Sequence, residues 1–232
     1  MGRVVAAVVA AALLGGAVAG CAGGGGSGDR AEAGPDTVRT SPIAAELAKL
    51  PARVDGAKVV VGQPDAPHTA QVLVDPRCAA CAQFEATGGE ALLKLAGAGK
   101  VKIEYLLASF LDQGGASGSA KAVNALRASV DQGRFAEYHA AVFASQPRGK
   151  FTDGHLLAVA DRVPGLRGTA FDKAVADQTY REWVTEAEQG FEETGAQGTP
   201  LVLVDGRPTG ARDGSMFEAE GFAETLKGVG VA

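Results

Sequence analysis

The chain has 232 residues and a formal net charge of −5, with 22 Lys and Arg against 27 Asp and Glu. That length holds one domain of ordinary size plus an extension. The acidic balance offers no basic footprint, which excludes the usual electrostatic case for nucleic-acid binding.

Residues 1–21 read as a processing signal rather than as folded structure. Arg3 supplies a positive start and residues 4–18 an apolar stretch, too short for a comfortable membrane span of ~20 residues. The stretch ends in Val18-Ala19-Gly20-Cys21, which resembles a bacterial lipobox. The resemblance implies lipidation of Cys21 on sulfur and cleavage before it. An ordinary secretory signal with an incidental cysteine is the alternative, but a leftover cysteine in an exported chain needs an explanation. Residues 22–40, with Gly23-Gly24-Gly25-Gly26-Ser27-Gly28 and then mixed charge, bury too little apolar surface to fold. They are expected to be a flexible tether with a reach of ~25 Å. The expected location is the extracytoplasmic face of the bacterial cell membrane, lipid-anchored, where disulfides form and persist.

Residues 41–232 are expected to form the domain. Ser41-Pro42 can cap a short helix with Ile43, Leu47 and Leu50 on one face, ended by Pro51. Val59-Val60-Val61 reads as a short strand, and residues 63–67 as a loop that also holds a solvated His68. Residues 70–75 read as a core strand and residues 82–95 as a helix. Between them stands Cys78-Ala79-Ala80-Cys81. Both thiols thus sit where a strand turns into a helix start, whose exposed N–H groups and positive partial charge favour a thiolate. The i, i+3 spacing puts the sulfurs on one side, close enough to bridge with little strain. Cys78 is expected to be the exposed nucleophile and Cys81 the shielded resolving thiol. The same spacing serves zinc, but a structural zinc site needs four ligands. The other candidates, Cys21, His68, His139 and His155, form no pair of ligand spacing, so no metal and no cofactor is expected. A purely structural disulfide is a weak alternative, because so small a loop gains little by closure.

Gly88-Gly89 weakens the following helix by ~1 kcal/mol per glycine relative to alanine, and a kink is expected there. Residues 101–107 turn fully apolar at their end and read as a central strand. From about 114 to 195 the pattern is helical, with stripes at Ala120, Val123, Leu126 and Val130, then Phe135, Val142 and Phe143. Thr152 can cap a further helix, and Phe171 and Val175 belong to a short segment. Tyr180, Trp183, Val184, Ala187 and Phe191 mark a last long helix. The aromatics, His139 and His155 are expected in the core rather than around a ligand. Gly198-Thr199-Pro200 leads into a strand at 201–204, Asp205-Gly206 signals a hairpin, and a final helix is expected over about 217–227.

Strand, CxxC, helix, a helical middle, then Gly-Thr-Pro, strand and Asp-Gly together resemble the DsbA-like branch of the thioredoxin superfamily. The resemblance spans roughly residues 58–229. It includes the Asp-x-x-Cys run from Asp75 to Cys78, Phe84-Glu85, and Phe135, Tyr138-His139 and Phe143. It implies an α/β thioredoxin-like fold with an inserted helical subdomain over about 114–195. It further implies a protein disulfide oxidoreductase working by thiol–disulfide exchange at Cys78 and Cys81. Pro200 would be cis and face the pair, and Thr199 and Pro200 would bind an extended substrate through backbone pairing. The partners implied are thiol- or disulfide-containing exported proteins and a membrane redox partner for recycling, with the chain a monomer held to the membrane by lipid on Cys21.

This sequence departs from the family at Ala79-Ala80, where a proline and then His, Tyr or Phe is usual. Two alanines add no charge, so Cys78 acidity should rest on the helix start, with Arg77 either helping or facing solvent. Asp75 is either a proton handler for Cys81 or a strand-end carboxylate facing water. The leading expectation is an oxidase of exported thiols. A reductase for one client and a redox-inactive binding lipoprotein stand as the alternatives.

Overall fold

A computed structural model describes residues 37–231. The signal stretch, Cys21 and the tether up to residue 36 lie outside the described residues. Its last residues, 37–40, are seated on the domain: Val38 packs on the core, and the Arg39 backbone exchanges hydrogen bonds with the Ser145 hydroxyl.

The first elements are a short helix α1 (Ala44–Leu47) and two strands, β1 (Ala52–Asp55) and β2 (Lys58–Val61). β1 went unread in the sequence because four residues alternating between half-buried and exposed give too short a pattern. It is an edge strand, paired in the sheet only with β2, with Ala52 and Val54 half-buried against the core. β3 (His68–Val74) and β4 (Val101–Leu107) lie parallel and fill the middle of a sheet ordered β1-β2-β4-β3-β5-β6. β5 (Leu201–Val204) and β6 (Arg207–Pro208) complete it, antiparallel to their neighbours. Asp205 and Gly206 both have positive φ, 48° and 76°, as the two-residue turn of a right-twisted hairpin requires.

His68 is not in a loop. It opens β3, with Nδ1 2.8 Å from Asp205 Oδ2, while Thr69 N donates to the other carboxylate oxygen. The hairpin at the far end of the chain therefore extends the strand beyond its apolar run.

The helix after the cysteines is continuous but changes pitch. α2 (Ala79–Phe84) passes into a π turn (Glu85–Gly89) and then α3 (Glu90–Gly97). The expected irregularity at Gly88-Gly89 is this widened turn. Its cause is contact: a Cβ on Gly88 would stand 2.5 Å from the Met216 carbonyl oxygen, on a 3₁₀ turn (Ser215–Phe217) that closes over the helix.

Five helices follow β4: α4 (Ser119–Asp131), α5 (Phe135–Ala144), α6 (Asp153–Ala160), α7 (Thr169–Asp177) and α8 (Arg181–Glu193). This is the inserted helical block the sequence implied, and Thr152 caps α6 by accepting from His155 N as expected. Buried Asn124 ties the block together. Its amide donates to Ala174 O at 3.0 Å, and its oxygen accepts from Tyr180 N at 2.8 Å. His139 is wholly buried among Tyr105, Phe135 and Phe143, with Nε2 3.2 Å from Glu85 Oε1. His155 reaches the Ser145 carbonyl. His139 thus lies in the core as expected, whereas His155 is only partly buried, against Phe151. The terminal helix α9 (Ala219–Gly228) packs Phe222 edge-on against Phe84 of the redox helix. Among the described residues no helix is long and apolar enough to cross a membrane.

Candidate active site

β3 delivers the chain to Asp75, and Cys78 N closes a turn onto Asp75 O at 3.0 Å. Cys78 then serves as the N-cap of α2, in an extended conformation with φ −72° and ψ 117°. Its sulfur accepts from Cys81 N at 3.3 Å, in the manner of a capping oxygen. Cys78 is partly exposed, whereas Cys81 is fully buried, and both are free thiols here.

Environment splits the two thiols. Cys78 is brought down to about 6, chiefly by the hydrogen bond from the Cys81 thiol. Partial burial opposes this, while the Thr199 hydroxyl and the N–H groups of Cys81 and Ala80 assist it. Burial pushes Cys81 far above the ordinary thiol range, and the neighbouring Cys78 pushes it further. A low-dielectric site disfavours whichever sulfur is left without donors to hold its charge.

Thr199 and Pro200 arrive from across the molecule. Their peptide bond is cis, and the Thr199 carbonyl lies 3.4 Å from Cys78 Sγ. The Thr199 hydroxyl is buried with no aligned partner, which leaves it beside the sulfurs whose anion it favours. The residues singled out in the domain therefore meet at one point. Cys21 lies outside the described residues.

Two expectations are corrected. Arg77 is half-buried, with its Nη1 donating to the Pro147 carbonyl at 2.7 Å, and the acidity of Cys78 rests first on the Cys81 thiol rather than on the helix start. Asp75 does not face water. It is fully buried and receives Arg77 N at 2.8 Å, Leu111 N at 3.0 Å and the Ser119 hydroxyl. Burial raises its pKa against the pull of those donors. The carboxylate joins the redox loop to Leu111 and to Ser119 at the start of α4. Sequence reasoning missed Ser119 and also Gln146, whose amide reaches the backbone on either side of Arg77. A partner some seventy residues away leaves no local signal. The nearest hint is the Gln146-Pro147 pair that stops α5. Among the described residues no group of three or more His, Cys, Asp or Glu side chains is placed to hold a metal.

The mixed sheet, the helical insert and a dithiol capping a helix opposite a cis proline define a thioredoxin-fold protein with a thiol–disulfide site. The thioredoxin family model matches residues 55–219, and the chain belongs to that family. Solved structures with the same architecture include the MdbA protein, a thiol-disulfide oxidoreductase from Actinomyces oris, with a TM-score of 0.64 and 22% identity over 74% of this chain and 85% of that one. The MdbA protein of Corynebacterium matruchotii gives 0.62 and 22% over 72% and 92% of the two chains. BdbD from Bacillus subtilis gives 0.60 and 19% over 83% and 97%. At these identities the likeness is one of fold. Among curated proteins, a stretch of 32 residues is 75% identical to part of the "Hydroxyurea phosphotransferase" of Kitasatospora aureofaciens. It spans 14% of this chain and 9% of that protein, too little of either to carry an activity.

Proposed function

We propose that this chain is an extracytoplasmic thiol–disulfide oxidoreductase that oxidises thiols of exported proteins through a Cys78–Cys81 disulfide. The observation that carries the reading is the split in acidity between a partly exposed Cys78 and a buried Cys81 three residues on. In the oxidising direction a client thiolate attacks Cys78 Sγ. The client–Cys78 bond forms, the Cys78–Cys81 bond breaks, and the electron pair passes to Cys81, which takes up a proton. The upward push that Cys78 exerts on Cys81 depends on charge at Cys78, and it vanishes once Cys78 is held in the mixed disulfide. A second client thiolate then attacks the client sulfur. The client disulfide forms, and Cys78 leaves as a thiolate, an exit that its low pKa favours. Two electrons have moved from the client to the pair, and a membrane redox partner is proposed to remove them.

Thr199 and Pro200 are proposed to bind the client in extended form, pairing with backbone rather than side chains, which suits many unfolded clients. Residues 1–21 are proposed to be a lipoprotein signal, residues 22–40 a tether whose last residues, 37–40, dock on the domain, and Cys21 the lipidated residue. The chain is proposed to act as a monomer at the outer face of the cell membrane.

The test is a redox titration of the full chain in glutathione and dithiothreitol buffers, paired with refolding of a reduced client. A potential of about −120 to −180 mV places it with oxidants and isomerases. One at or below about −270 mV places it with reductants, and the reading becomes a reductase for a client disulfide. Refolding that proceeds equally well with Cys78→Ser would remove the redox reading and leave a thioredoxin-fold binding protein.

A further inference from the structure

The loop that presents Cys78 is gripped from the side by the helical insert. Gln146, just past the end of α5, donates its amide Nε2 to Pro76 O at 2.6 Å and to Cys78 O at 2.9 Å. In the opposite sense, Arg77 Nη1 donates to Pro147 O at 2.7 Å. Adjacent residues of the insert thus hold three consecutive residues of the redox loop, and the donors run both ways. From the sheet side the same loop is fixed by Asp75, through Arg77 N and Cys78 N.

We infer that Gln146 is a positioning residue for the redox pair, a clasp from the insert that sets the peptide planes around Cys78 and hence the fit of its sulfur to the helix start. The inference rests on the site proposed above and deepens it. The physical argument starts from the N-cap. Cys78 Sγ meets the first N–H donors of α2 only while residue 78 stays extended and its carbonyl points along the helix to receive Ala82 N, a contact of 3.2 Å. That carbonyl has one further partner, Gln146. The Pro76 carbonyl, on a buried residue, has Gln146 too. A carbonyl held by two donors has little freedom to rotate, and a buried carbonyl stripped of its donor tends to swing towards another. Loss of the clasp would let the peptide planes of residues 76–78 turn and the sulfur drift off the N–H groups of Ala80 and Cys81. The same drift would loosen the hydrogen bond from the Cys81 thiol, the donor that lowers Cys78 most, with the two N–H groups adding to it, so the thiolate should weaken. The groups facing Cys78 are Cys81, Thr199 and the backbone of α2. The guanidinium of Arg77 is committed to Pro147.

The experiment follows thiolate absorbance at 240 nm against pH in the reduced full chain, for the unaltered protein, Gln146→Leu, Gln146→Glu and Cys78→Ser. Cys78→Ser identifies the signal. Gln146→Leu is neutral and of similar size, so a shift in it reports the lost hydrogen bonds and not a change of charge. Gln146→Glu keeps the shape but replaces the donor by an acceptor and adds a charge, so the neutral Gln146→Met serves if the leucine variant folds poorly, with the same upward shift expected. The expected result is a Cys78 pKa near 6 in the unaltered protein, moved up by about one unit in Gln146→Leu and further in Gln146→Glu. By linkage, the equilibrium in which the pair is oxidised by glutathione disulfide, releasing two glutathiones, shifts about fivefold towards the disulfide at pH 7. Melting temperatures of the oxidised forms report whether folding is kept. Folded variants that titrate with the unaltered protein would overturn the clasp and leave the proposed activity standing. An unaltered protein with no thiol titrating below about 7.5 would overturn both.

Discussion

Cys78 and Cys81 share a helix turn and one kind of side chain, yet one ends up acidic and the other inert. The difference is one of placement: Cys78 caps the helix in partial contact with solvent, while Cys81 is one turn in and covered. Iodoacetamide should therefore modify Cys78 with a half-maximal rate near pH 6, whereas Cys81 should react only after denaturation. The same acidity makes stability depend on pH in the reduced form. Cys78 has a folded pKa lowered to about 6 from an ordinary thiol value of 9.0, so between those values the unfolded chain holds more protons. Stability of the reduced protein should then rise with pH from about 6 to 8.5, and the contribution should be lost as pH falls through 6. In the oxidised form neither Cys78 nor Cys81 has a thiol to titrate. The urea midpoint of the reduced form should thus climb relative to that of the oxidised form across this window, and parallel midpoints would contradict the assigned acidity.

The redox helix is shaped by what must lie against it. The π turn at Glu85–Gly89 admits the backbone of Met216, and Thr87 Oγ1 reaches the same carbonyl at 3.3 Å. Gly88 is the point of closest approach, since an added Cβ would also meet Phe222 and Phe84 at 3.0 Å. A carbonyl cannot retreat as the end of a side chain can. Gly88→Ala should therefore destabilise the fold by about 1–3 kcal/mol despite the better helix propensity of alanine, as measured by urea unfolding. An unchanged or raised midpoint would mean that the 3₁₀ turn is free to move off the helix. Within the insert, Asn124 makes the corresponding close fit by hydrogen bonding. Asn124→Ala leaves the Ala174 carbonyl and the Tyr180 N–H without their partner, and should cost about 1–3 kcal/mol.

For the whole molecule, the insert is part of the site and not an ornament on the sheet. Ser119 at the start of α4 bonds to Asp75, and the α5–α6 connection bonds to the redox loop through Gln146 and Pro147. The block thus gives a plain thioredoxin-like sheet a second wall around its thiol. Placement in the cell is proposed to rest on the other end of the chain. Cys21→Ser should release the protein from the membrane fraction of a bacterial host and abolish incorporation of labelled palmitate. Retention of both would dismiss the proposed anchor.

The elements that carry the chemistry were legible from local pattern. Strand-to-helix placement of Cys78 and Cys81, the hairpin signal of Asp205-Gly206 and the cap at Thr152 each depend on neighbours within a turn or two. Such short-range constraints are written in the order of the residues. Gly88-Gly89 marked where the helix departs from regularity, but the π turn it takes there answers to Met216, far along the chain. β1 was hidden because four residues alternating between half-buried and exposed give too short a pattern to read. His68, Asp75, Arg77 and Gln146 needed the tertiary structure, since each is defined by a partner between 36 and 137 residues away. The sequence by itself determined which thiols could react and on what kind of turn they stand. Only the fold decided how acidic each is, because Cys78 is lowered first by the Cys81 thiol set against it, Cys81 is raised first by burial, and Thr199 reaches both from far along the chain.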